Sequence, residues 1–76
     1  TEEMRQANAA EELGRLQNPM AVEVLIEVLN SNPSNMVRSM AARALGEIGD
    51  QQAYQHLVRA LEDDAPSVFV KAQRML

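Results

Sequence analysis

The sequence contains no cysteine and no tryptophan, and its only aromatic side chains are Tyr54 and Phe69. Without cysteine there is no disulfide framework, no thiolate metal site and no cysteine nucleophile. With so few aromatics the core must be aliphatic and rich in alanine, which favours closely packed helices. No apolar run is long enough to span a bilayer, and none is patterned as a signal peptide. Positive charge is also scarce: seven basic against eleven acidic residues give a net charge of −4. That balance opposes non-specific attraction to nucleic acid or to an anionic membrane surface. The chain therefore reads as a cytoplasmic protein that binds neither. At 76 residues, a domain buries only about 60% of the surface its unfolded chain exposes, so no large cofactor pocket is expected and no cofactor is called for. The chain starts at Thr1 without an initiator methionine and reads as a piece of a longer array.

What is present is a repeat, the feature to seek first because missing it misassigns the whole fold. Ala9-Ala10-Glu11-Glu12-Leu13-Gly14-Arg15-Leu16 aligns with Ala41-Ala42-Arg43-Ala44-Leu45-Gly46-Glu47-Ile48, 32 residues later. The register persists: Ala21 falls on Ala53, Leu25 on Leu57, Ile26 on Val58 and Leu29 on Leu61. A partial third copy begins near Pro66, where Ser67-Val68 with Ala72, Arg74 and Leu76 follows Met36-Val37 with Ala41, Arg43 and Leu45 at a spacing of 31. One domain, 1–76, thus divides into repeats of about 1–32, 33–64 and a partial 65–76.

Helix signals split each full repeat in two. Asn18-Pro19 starts a helix, since asparagine caps free first-turn amides and proline suits the first helical position. Asp50 holds the equivalent place, while Asn32-Pro33-Ser34 and Asp64-Ala65-Pro66 separate the repeats, with Asp64 expected to cap the helix that follows. The pattern predicts five helices, at about residues 2–16, 19–30, 34–48, 51–62 and 66–76. Val37, Met40, Ala41, Ala44, Leu45 and Ile48 recur at helical steps along one face, as do Leu25, Ile26 and Leu29. Tyr54, Leu57, Val58 and Leu61 form a third such set, expected to face a neighbouring helix. Gly49 suits a left-handed helix end, whereas Gly14 and Gly46 sit inside helices, where glycine calls for a close approach.

Met36-Val37-Arg38 leading through Ala41-Ala42-Arg43-Ala44-Leu45-Gly46-Glu47-Ile48-Gly49-Asp50 to Ala53 and Leu57-Val58-Arg59-Ala60-Leu61 resembles the HEAT-like repeats of the phycobilisome-lyase type. The resemblance covers nearly the whole chain. The first copy is irregular, with Leu16-Gln17-Asn18 where the second has Ile48-Gly49-Asp50. The resemblance implies an all-α fold, an α-solenoid of about two and a half helical hairpins. The first helices would form the convex layer and the second helices the concave one. It also implies that Arg38 joins neighbouring units through carbonyls or an aspartate, with Asp50 as the candidate partner. The family includes subunits of enzymes that attach or detach bilin pigments on cyanobacterial light-harvesting proteins, and factors in phycobilisome degradation.

No residue set suggests chemistry of its own. His56 is the sole histidine, too few for a histidine-based metal site. Glu62-Asp63-Asp64 could hold a cation, but helix-end chemistry accounts for it. Glu2-Glu3 and Glu11-Glu12 are no acid-base pair, because adjacent helical residues diverge by about 100°. Among the five methionines, Met36 and Met40 border the core face, leaving Met20 and Met75 as candidates for exposure.

The most informative surface is polar. Glu23, Glu27 and Asn30 follow at helical steps, and Gln52, Gln55, His56 and Arg59 lie on the equivalent later helix, with Glu27 in register beside Arg59. Stacked repeats use extended concave faces for binding, so these seven residues form the candidate protein-binding stripe, with no catalytic, cofactor or metal residue assigned. Helix five carries Val68, Ala72, Met75 and Leu76 without a second helix to cover them, which suggests self-association through the repeat ends. On these grounds the chain is expected to be a non-catalytic, non-enzymatic interaction scaffold. The alternative is a fragment or subunit of a phycobilisome bilin lyase or isomerase, or of a degradation factor.

Overall fold

The computed structural model describes all 76 residues, Thr1–Leu76. It contains five α-helices: α1 (Glu2–Arg15), α2 (Val22–Ser31), α3 (Asn35–Ile48), α4 (Gln51–Ala60) and α5 (Pro66–Met75), with a single 3-10 turn at Pro19–Ala21 before α2. Helix starts are set by side chains that accept first-turn amides: Thr1 from Met4 N, Asn18 from Met20 N, Ser34 from Val37 N and Asp50 from Gln52 N. At α5 the expected cap is corrected. Ala65 holds the cap position, Pro66 opens the helix, and the Ala65 amide donates 2.8 Å to Asp63 rather than to Asp64.

Helices α1, α3 and α5 lie side by side in one layer, and α2 and α4 form the second. The central helix, α3, packs on all four others, whereas α1 and α2 make little direct contact with each other. The core is correspondingly aliphatic. Leu25, Leu45, Val37 and Val68 are its largest fully buried side chains, and Ala41, Ala42 and Ala44 are wholly enclosed.

Glycine lets the helices of the first layer meet. A Cβ at Gly14 would fall 2.5 Å from Ala44 Cα, and one at Gly46 would fall 2.6 Å from Met75 Cβ. The two glycines are 32 residues apart in sequence, so one close approach is built twice along the array. Gly49 ends α3 in the left-handed conformation with φ 71°. Its counterpart in the irregular first repeat, Gln17, adopts φ 54° with a side chain. Its amide group donates 3.1 Å to the Glu47 carbonyl, a contact glycine could not make.

Three expectations about exposure change. Val68 and Ala72 are buried and Met75 is half-buried, because α3 covers them; the exposed apolar side chains are Phe69 and Val70 of α5 and Leu76 just after it. Met75 is thus no free methionine, whereas Met4 is exposed along with Met20. Tyr54 and Val58 are 56% and 43% exposed, since no helix of this chain lies against that flank of α4. Their counterparts on α2, Val22 and Ile26, are buried and half-buried where α4 lies alongside.

Candidate functional site

The most buried ion pair joins the two linkers between repeats. Arg38, near the start of α3, donates 2.9 and 3.2 Å to the two carboxylate oxygens of Asp63 and 2.8 Å to the Asn32 carbonyl. Both side chains are largely buried, at 19% and 16% exposure. Asp63 also receives the Ala65 amide. Burial pushes the Asp63 carboxyl upward, but the Arg38 hydrogen bonds, the Ala65 amide and the Arg38 charge together hold it below its ordinary value. The candidate Arg38–Asp50 pair is therefore corrected: Asp50 is committed to the first turn of α4, and Asp63 takes the guanidinium. The signal for Asp63 was its place in the linker after α4, next to the start of α5.

The seven stripe residues lie on the second layer as their helical spacing requires. Glu23, Glu27 and Asn30 of α2 and Gln52, Gln55 and Arg59 of α4 are exposed, and His56 is half-buried. The structure brings two of them together: Asn30 Nδ2 lies 3.4 Å from His56 Nδ1. Glu27 and Arg59 make no ion pair within 4.0 Å, nor does Glu23. Sharing a register position does not by itself put two exposed side chains of successive helices in reach of each other. The chain's ion pairs instead lie mostly on the first layer, at Arg5–Glu2, Arg15–Glu12 and the 3.8 Å contacts of Arg43 with Glu11 and Glu47.

No three histidine, aspartate or glutamate side chains converge as a metal-holding group. No helix is long and apolar enough to cross a membrane. What the surface does offer is uncommitted hydrogen-bonding and charged groups at Glu23, Glu27, Gln55 and Arg59, held on two adjoining helices. These groups share one face of the second layer, and the Asn30–His56 contact between its two helices was not read from the sequence.

With this geometry in place, comparison with known proteins identifies the class: the HEAT-repeat family matches residues 2–76, and the chain belongs to it. Among curated relatives, the phycocyanobilin lyase subunit alpha of Picosynechococcus is 46% identical over 66 residues, 87% of this chain and 24% of its own length. The bilin biosynthesis protein PecE of Mastigocladus laminosus is 38% identical over 61 residues, covering 80% of this chain and 23% of that protein. A deoxyhypusine hydroxylase of Chaetomium globosum is 38% identical over 56 residues, 72% of this chain and 16% of the relative. The chain thus spans about a quarter or less of the relatives it matches. The expectation of a non-enzymatic protein is corrected here, because the lyase subunit and the hydroxylase are named as enzymes. The residues alone did not favour a likeness to enzymes, because the matched segment is a fraction of each relative and carries no nucleophile-base pair or metal set.

Proposed function

We propose that this chain is a HEAT-repeat segment of a bilin-lyase-type enzyme, and that it holds the protein to which the pigment is joined. Two of the three relatives above are named for bilin chemistry, one of them a lyase subunit at 46% identity. The observation that carries the role is the uncommitted stripe of Glu23, Glu27, Gln55 and Arg59, with the Asn30–His56 contact between its two helices. Repeat arrays recognise proteins over such faces, so the segment supplies binding while chemistry takes place elsewhere in the longer protein. Its compartment would be the cytoplasm. The pair Arg38–Asp63 fixes the angle between units and keeps the stripe in shape.

The test is capture from a source-cell extract with the purified chain as bait, read by mass spectrometry and visible absorbance. Enrichment of phycobiliprotein subunits or bilin, reduced by Arg59→Glu, is the expected result. Reproducible capture of colourless proteins alone would count against the bilin assignment.

A further inference from the structure

Charge is not shared evenly between the two layers. Helices α1, α3 and α5 carry five carboxylates and six basic side chains, so the first layer is close to neutral. Helices α2 and α4, with the linkers around them, carry six carboxylates, and Arg59 is their one basic side chain. The whole negative excess of the chain therefore lies outside the first layer. The carboxylates also differ in what they touch. In the first layer Glu2, Glu11, Glu12 and Glu47 each have an arginine partner, and Glu3 accepts the Ser34 hydroxyl. In the second, Asp50 caps α4 and Asp63 holds Arg38. That leaves Glu23, Glu27, Glu62 and Asp64 exposed and without an ion pair.

The geometry adds to this charge. Helices α2 and α4 end at the same edge, where Asn30, Glu62 and Asp63 line one cleft. The partial negative charge of two helix C-termini thus falls beside Glu62. Glu23 and Glu27 stand one turn apart on α2, a rise of about 6 Å. No three of the carboxylates converge on a point, so the layer is not shaped for a bare metal ion, and its sign repels nucleic acid. Arg59 stands on the same layer without an acidic partner. A uniformly cationic ligand would meet it as a like charge, whereas a protein surface can set a carboxylate against it. We infer that the second layer docks a basic protein surface, with lysine or arginine side chains against Glu23 and Glu27 and a carboxylate against Arg59. The inference rests on the reading of this layer as the binding face, proposed above, and adds the charge of what it receives. Such complementarity speeds encounter and fixes orientation more than it adds raw affinity, and binding through it weakens as salt rises.

The test uses the isotope-labelled 76-residue chain and synthetic helical peptides, followed by amide chemical shifts. One peptide carries two lysines four residues apart on one flank and a glutamate on the other. A second has glutamate for both lysines, and a third has lysine for the glutamate. The first is expected to bind with shifts confined to α2, α4 and the linker after α4, and to weaken as salt is raised. The second should bind at least about tenfold more weakly and the third about threefold. Glu23→Gln combined with Glu27→Gln should lower affinity for the first peptide about three- to tenfold. Glu2→Gln combined with Glu12→Gln makes the same change of net charge on the first layer and should leave affinity within about twofold. All four sites are exposed, so a retained cooperative thermal transition verifies the fold of each variant. Equal losses in the two double variants would reduce the effect to net charge and overturn the inference. So would an absence of peptide binding, shifts centred on the first layer, or tighter binding of the third peptide than of the first. Capture of a phycobiliprotein that Arg59→Glu lowers and the Glu23 and Glu27 substitutions leave alone would support the proposed function and reject this inference. Charge-selective peptide binding alongside capture of colourless proteins alone would keep the inference and reject the bilin assignment.

Discussion

Arg38 and Asp63 are 25 residues apart in sequence and meet through two hydrogen bonds, at 2.9 and 3.2 Å, where the linkers on either side of the second repeat come together. Truncation as Arg38→Ala leaves a largely buried carboxylate without its cation and the Asn32 carbonyl without a donor. Removing one partner of such a pair costs more than the pair itself contributes. The expected loss is about 2–3 kcal/mol of unfolding free energy, measured by urea denaturation. Arg38→Lys should recover only part of it, since an ammonium cannot fork to two oxygens.

Acid should act through the same aspartate. Its carboxyl titrates below the ordinary value of 3.8 in the folded chain, so near that value the unfolded state binds the proton first. Stability therefore rises with pH across this window and is complete above the unfolded value. As pH falls through 3.8 and below it, the contribution of Asp63 is lost. Denaturation midpoints taken from pH 6 down to pH 2.5 should fall more steeply for the wild type than for Asp63→Asn. Parallel curves would assign the acid sensitivity to other carboxylates.

Gly14→Ala tests the close approach between α1 and α3. Alanine gains about 1 kcal/mol in helix propensity, but its methyl group would lie 2.5 Å from Ala44 Cα and 2.7 Å from Ala44 Cβ. Neither atom can swing aside, so overpacking of about 1–3 kcal/mol should prevail and lower the thermal midpoint. At Gly46 the Met75 thioether at 2.6 Å can repack, but Met75 Cβ, also at 2.6 Å, is fixed to the backbone of α5. Gly46→Ala should therefore lower the thermal midpoint as well.

The two left-handed turns should respond in opposite directions. Gly49→Ala places a side chain at φ 71° with nothing to bond to, and a loss of about 1 kcal/mol is expected. Gln17→Gly removes a strained side chain at φ 54° but also the 3.1 Å bond to the Glu47 carbonyl. A gain well under 1 kcal/mol is expected from these opposed effects, resolved by calorimetry of both variants side by side.

Sequence and structure agree most closely where one periodic pattern decides the outcome. The steps from Val37 to Ile48 predicted α3, and Asn18 and Asp50 identified two caps, because each depends on near neighbours in the chain. The pairing of Arg38 with Asp63 was not legible, since Asp50, Asp63 and Asp64 are chemically alike and only the meeting of the linkers selects among them. The unpaired state of Glu27 was hidden for a related reason: register places it beside Arg59, but equivalent positions on successive helices need not bring two exposed side chains into contact.

The position of α3, in contact with every other helix while α1 and α2 barely meet, has a consequence for how the chain folds. The sequence repeats with a boundary after α2, yet a pair consisting of α1 and α2 alone has almost no interface to hold it. The smallest cooperative unit must include the first helix of the following repeat, so the unit that is copied and the unit that folds are out of phase by one helix. Within this segment α3 is the element that fastens α1 and α2 to each other, so local unfolding of α3 would release both.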